Sequence, residues 1–395
     1  MILNGALAPA SIVAFLGLAT GWEFGLTGGI ILQLVLLWTA VLLAMRKLVV
    51  TQTVIYAVFW VYAALCVAVF LSGVIDAAAN GGSAVPVESS ELFSLDFVNY
   101  GWVFGLVLLY LLGVETPFNM GAEFLSVKNS AAKMVWIGSV VLSVGYIITT
   151  IGILLSTPLA EINPVTGVID ALSGSGLSFL VPIGAIALCI VLLISLVVYQ
   201  SAYARLIFVS GIERHLPRLF THLNPRTRIP VTALLVQGVI SSTMIVVLYS
   251  QSSLETTFLY LSGALTVLWL FSGFFFFIPV AIARWKYAER YATESFWRIP
   301  GRKPGALAVA VIGSVGTAAG IYYTYTLPFS ADIPAGDWMW NVGMVTGGFL
   351  IGALVVYYFG RRSAAKLSAE DSLAHLAVLV DEGEPARHAA PADAT

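Results

Sequence analysis

Long uncharged runs dominate this chain. Between successive charged residues they cover positions 1–22, 24–45, 48–75, 97–114, 134–160, 171–204, 229–254, 256–283, 304–331 and 338–360. A helix needs about 20 mostly apolar residues to cross the hydrocarbon layer, and side-chain charge is what forbids the crossing. None of the runs alternates with the two-residue period of a barrel strand, and all are longer than one. The pattern predicts an all-α integral membrane protein with about ten transmembrane helices.

Composition strengthens this reading. Hydrophobic residues fill 59 % of the 395 positions and charged residues 10 %, where a soluble globular chain carries roughly 25 % charged. The net charge of -2 says nothing about nucleic acid, and no other feature suggests it as a partner. Cys66 and Cys189 fall inside apolar runs and read as small packing residues, so no disulfide framework or metal site is expected. His215 and His222 lack a ligand spacing and read as solvated loop residues. No pattern calls for a cofactor. Met1 opens directly into apolar sequence with no basic n-region, so no cleaved signal peptide is expected.

Charge then sets orientation. Lys and Arg gather on cytoplasmic loops, and all 19 of them here follow even-numbered runs, from Arg46 and Lys47 through Lys128 and Lys133, Arg205 to Arg228, Arg284 to Lys303, and Arg361 to Arg387. Both termini are therefore expected in the cytoplasm of a cell whose plasma membrane the chain spans. The basic loops meet anionic membrane lipid. The Gly- and Ser-rich loop at 76–97 reads as extracellular. The 361–395 tail, despite its short pattern of Leu367, Leu373, Leu376 and Leu379, reads as mostly disordered.

One stretch breaks the apolar pattern. In "LLYLLGVETPFNMGAEF", residues 109–125, Glu115 sits between Gly113 and Pro117, about eighteen residues into the fourth run. A charge at such depth costs roughly 2.5–3.5 kcal/mol and faces protein or water, not lipid. Gly113 permits a non-helical backbone angle, and Pro117 removes an amide donor. Together they predict a helix that unwinds near 113–117. Backbone groups freed at that depth are tolerable where they line a cavity, as in the discontinuous helices of secondary transporters. An inner half-helix starting near Phe118 would offer free amides to an anionic solute. The other reading of the same residues is a kink packed against neighbours, with Glu115 a protonated carboxyl bonded to a backbone carbonyl.

"GVETPFNMGAEFLSVKNSAAKMV" resembles the sixth helix and following loop of the amino acid/polyamine/organocation superfamily, with Glu123, Lys128 and Asn129 at the expected places. "ARLIFVSGIERHLPRLFTHLNPRTRIPVTAL" is similar to that family's eighth helix and loop, with Arg205, Leu216, Pro217, Phe220 and Pro230 in order, and "FWRIPGRKPG" looks like the loop before its eleventh helix. The resemblance implies a LeuT-like permease fold of two inverted five-helix repeats followed by two helices. Residues 1–75 then correspond to the end of the first repeat, 98–283 to the second repeat, and 304–360 to the additional pair. On this mapping the family's first two helices are missing and the chain is N-terminally truncated, through a wrongly assigned start, a truncated gene or descent as a permease remnant. "MILNGALAPASIV" contains Asn4, Gly5 and Pro9 but no Gly-rich break of the kind the family's first helix carries.

The resemblance also implies a solute site. Gly113, Val114, Glu115 and Thr116 form the unwound segment. Ser195 and Tyr199, one turn apart on one helical face, contribute side chains from the family's eighth helix, and Tyr110 stands before the break as an aromatic gate. Ser195, Tyr199 and Tyr110 equally suit packing between helices, and Phe274 to Phe277 read as lipid-facing or core bulk. The third run lacks the lysine that some proton-coupled relatives carry, which leaves Glu115 as the proton-coupling candidate, with H+, Na+ or solute exchange all open. The expected function is secondary active transport of amino acids or related amines. The competing expectations are a non-transporting membrane subunit or remnant, and an intramembrane enzyme. The enzyme lacks paired acids at depth and any HExxH spacing.

Overall fold

The computed structural model describes residues 2–46, 48–85, 97–111, 113, 127–158, 161–163, 165–174, 177–250, 253–288, 299, 301–330 and 332–364. Val114, Glu115, Thr116, Pro117, Phe118 and Glu123, residues 86–96 of the loop expected at 76–97, Phe296, Trp297, Arg298 and Pro300 of "FWRIPGRKPG", and the tail leucines from Leu367 to Leu379 lie outside the described residues.

Among the described residues all regular structure is helical. In chain order the helices are α1 (Ile2–Thr20), α2 (Leu26–Ala44), α3 (Leu48–Asn80), α4 (Phe97–Tyr110), α5 (Val127–Ser156), α6 (Gly167–Asp170), α7 (Leu180–Ile212), α8 (Val231–Tyr249), α9 (Leu254–Lys286), α10 (Arg302–Thr326) and α11 (Ala335–Ala364). Nine of them are long and apolar enough to cross a membrane; α4 contributes a shorter apolar stretch, Gly101–Tyr110, and α6 is a single turn.

Several helices run past the charges that bound the uncharged runs. α3 continues to Asn80 and takes in Asp76; α7 continues to Ile212, beyond Arg205; α9 takes in Glu255, Arg284 and Lys286. The physical reason is visible in α9. The Ser253 side chain accepts from the Thr256 amide, and Glu255 in the first turn and Arg284 and Lys286 in the last complement the helix dipole. Charge limits contact with lipid, whereas caps and backbone hydrogen bonds limit the helix.

Two apolar clusters hold the bundle. The larger joins α1, α2, α7, α8, α9 and α11, with Leu37, Leu234, Ile245 and Trp338 fully buried in it. The Trp338 ring packs in tilted geometry against Phe329, with centroids 5.0 Å apart, and Tyr260, 5.9 Å apart, and its indole N–H donates to the Thr324 carbonyl at 2.9 Å. This bond satisfies the one polar group of a large buried side chain. The smaller cluster joins α1, α3, the segment around α6, and α7.

α3 and α5 touch backbone to backbone. A Cβ on Gly73 would overlap the Gly152 carbonyl, and one on Gly152 would stand 2.6 Å from the Val69 carbonyl. The opposite faces of the outer helices are apolar and open, as at Phe275, Ile312 and Leu354, which suits a bundle whose solvent is hydrocarbon. Of the expected Phe274 to Phe277 group, Phe275 and Phe276 face outward, while Phe274 meets Phe271 and Phe277 lies against Gly313 of α10. Cys66 and Cys189 are buried free thiols.

Candidate functional site

α4 ends at Tyr110, after which the Leu111 amide makes one further helical bond to the Val107 carbonyl at 3.2 Å. Gly113 then takes φ +108, a region that side chains on L-residues rarely allow. A second constraint falls on the same residue. A Cβ there would overlap the hydroxyl of Tyr199, which reaches across from α7. Glycine is therefore required both by its own backbone angle and by the approach of a phenol. Tyr199 stacks on Tyr203 one turn further along α7, with ring centroids 6.1 Å apart and planes 12° from parallel.

Tyr110 is 50 % exposed. Its ring lies 5.5 Å from that of Tyr146 on α5, and its carbonyl accepts from the Tyr146 hydroxyl at 2.7 Å. A carbonyl in the last turn of a helix has no intrahelical partner, and here a side chain from another helix supplies one. Tyr62 of α3 neighbours the same pair. Ser195 is half-buried on α7, four residues before Tyr199. The structure thus brings Gly113 and Tyr199 into contact and holds Tyr110 to α5. Ser195 stands one helical turn away from Tyr199. Val114, Glu115 and Thr116 are outside the described residues.

Sequence reasoning missed Tyr203 and Tyr146. The first was available in the sequence, four residues beyond Tyr199; for the second, on another helix, no local signal exists. It also missed a set of buried amides. Gln200 is 3 % exposed and lies with Ser241 against Gly5, and the side-chain atoms Gln200 Oε1, Gln237 Oε1 and Gln237 Nε2 have no hydrogen-bond partner.

The segments carrying the second resemblance form a compact turn. A short 3₁₀ helix, Arg218–Thr221, follows Pro217, Phe220 packs near Gly211 of α7, and Asn224 accepts through Oδ1 from the amides of Arg226 and Thr227. A groove of about 530 Å³ lies between Arg214–Pro217 and the last turns of α11, lined by Val355, Val356, Phe359 and Gly360. Of the residues expected at the solute site, none of the described ones lines it. Among the described residues no group of three His, Cys, Asp or Glu side chains is placed to hold a metal ion.

No curated protein matches the chain. A family model described as amino acid permease matches residues 1–356, nearly the whole helical bundle. With its long apolar helices, the chain therefore belongs to the amino acid permease family of the amino acid/polyamine/organocation superfamily, multi-pass membrane proteins that transport amino acids.

Proposed function

We propose that the protein is a secondary active transporter of amino acids or related amines, in which one helix bundle rocks around a fixed solute site at the end of α4. The observation that carries this reading is the contact at Gly113. The short apolar helix α4 ends at Tyr110, Gly113 takes φ +108, and the phenol of Tyr199 from α7 lies against it. Backbone groups at such breaks line the solute sites of discontinuous-helix transporters. Tyr199 supplies a hydroxyl beside them, with Tyr110 and Ser195 nearby. Glu115 then supplies a carboxylate close to the solute or a coupling H+ or Na+. The segregation of all 19 Lys and Arg supports a plasma-membrane protein with both termini in the cytoplasm.

The test is uptake of labelled amino acids and polyamines into proteoliposomes containing the purified chain. Concentrative uptake of at least one solute is expected, with strong loss in Gly113→Ala and a pH profile altered by Glu115→Gln. An empty panel would sink the transporter reading; uptake unaffected by Gly113→Ala would move the solute away from α4.

A further inference from the structure

The connection between α5 and α7 enters the bundle. Asn163 Oδ1 accepts from the amides of Val165 and Thr166 and starts the single turn of α6, as an Asx turn does. The chain then drives Ile169 and Leu172, both at 0 % exposure, among Ile12 and Phe15 of α1, Leu65 and Val69 of α3 and Leu188 of α7. The hydroxyl of Ser72 on α3 donates to the Ala171 carbonyl at 2.8 Å. Residues 165–174 thus form a plug seated on α3 through the Ser72–Ala171 hydrogen bond and the buried side chains of Ile169 and Leu172.

One turn beyond Ser72 on the same face of α3 lies Asp76. Its exposure is 6 %, its Oδ2 stands 3.3 Å from where a Cβ on Gly174 would lie, and that oxygen has no hydrogen-bond partner among the described residues. A buried ionised carboxylate requires a partner. The packed elements provide no basic one. From 48 to 127 and from 134 to 204 the chain has no Lys, Arg or His, and these stretches include α3, the outer half of α5, the plug and most of α7. The titratable groups they do present are Tyr56, Tyr62 and Cys66 on α3 itself, Tyr146 on α5, Glu161 and Asp170 in the plug connection, and Cys189, Tyr199 and Tyr203 on α7; α1 adds none. Asp170 is engaged elsewhere, its Oδ2 accepting from Thr166 Oγ1 at 2.6 Å. The charge that neutralises Asp76 therefore comes from solution. A metal ion would need several oxygen ligands, while the neighbouring Ala171 carbonyl already accepts from Ser72. A proton needs none.

We propose that Asp76 is a proton-binding site beneath a lid formed by residues 165–174, so that the lid seats over the neutral acid and lifts when the carboxyl ionises. On ionisation the proton passes to bulk water, the carboxylate takes up hydration in place of burial, and Ile169 and Leu172 withdraw from their cleft. Combined with the transporter reading, on which this consequence alone rests, acid favours closure of the pathway on the α6 side and couples solute movement to protons.

The experiment is hydrogen exchange, followed by mass spectrometry, on the full chain in lipid nanodiscs from mildly acidic to mildly alkaline pH, corrected for intrinsic exchange rates. Peptides covering 165–174 are expected to lose about tenfold in protection as pH rises, while α7 peptides keep theirs. Asp76→Asn is expected to hold the lid protected at every pH, and Ser72→Ala to lower protection at every pH with the slope retained. A flat wild-type profile, or a slope that survives in Asp76→Asn, overturns the proposal. Should Asp76→Asn fail to fold, Asp170→Asn decides. It removes the lid's own carboxyl, so a retained slope supports Asp76 and a lost one assigns the effect to Asp170. Exchange needs no transported solute, so a pH-dependent lid together with an empty uptake panel would keep this proposal and discard the transporter reading.

Discussion

Two glycine contacts in this molecule serve different ends. At the α3–α5 seam, Gly73 and Gly152 have helical neighbours on both sides, and their missing side chains let two backbones meet. Small residues do this wherever membrane helices associate, because close packing replaces the hydrophobic drive that lipid removes. At the end of α4, Gly113 has left the helix, with φ +108, and what comes close is the hydroxyl of Tyr199. The first contact joins two backbones without a polar side chain. The second places a hydroxyl against a glycine in a positive-φ, non-helical conformation. A glycine in a membrane helix is therefore informative about a site only when its backbone angle and its neighbour's chemistry are both known.

Substitutions separate the two contacts. The largest expected effect is at the seam. Gly152→Val places a branched side chain against the Val69 carbonyl and the Phe70 Cα, and overpacking of this kind costs about 1–3 kcal/mol or more. Loss of monodisperse protein on size-exclusion chromatography is the expected outcome; a normal profile would mean the seam is looser than its geometry.

Gly113→Ala is expected to leave the protein folded yet lower its initial uptake rate about tenfold or more, since a strained positive φ costs about 1–3 kcal/mol and falls where solute binding is proposed. If it lowers expression as Gly152→Val does and leaves the uptake per folded molecule unchanged, the two glycines are alike and the comparison fails. Tyr199→Phe keeps the ring and its stacking on Tyr203 while removing one hydroxyl. A hydrogen bond is worth about 0.5–1.5 kcal/mol net, so a several-fold change in uptake KM with an unchanged melting temperature is expected. The smallest effect serves as a control far from both contacts. Ser242 accepts from the Trp38 indole at 3.1 Å, and Ser242→Ala is expected to cost about 1 kcal/mol, visible as a lowered melting temperature with uptake unchanged.

Much of the fold was legible because a membrane writes it into composition. Nine helices lie where uncharged runs lay, and the fourth run holds the shorter α4. The reading erred at ends, as at α3, where Asp76 marked the end of an uncharged run but the helix continued to Asn80. Charge is an indicator of lipid contact, and a carboxyl turned into protein escapes it. At the site, Gly113 was legible from its place between a helix and Glu115. Family resemblance placed Tyr199 among the solute-site residues, but that it lies over Gly113 was not legible, since no local pattern relates residues 86 positions apart. Tyr146, whose hydroxyl bonds the Tyr110 carbonyl, left no trace at all.

By itself the sequence determined that this is a bundle of membrane-spanning helices and where its charge-bearing loops fall, because crossing lipid constrains each segment locally. Its family followed from motif order and is borne out by the match over residues 1–356. Only the tertiary structure decided which polar groups face one another: a phenol over Gly113, and a buried carboxyl at Asp76 under the plug carrying Ile169 and Leu172. Lipid selects residues one helix at a time and is indifferent to which helix faces which. Those pairings are set by close contacts between distant parts of the chain, so they exist only once the helices have packed.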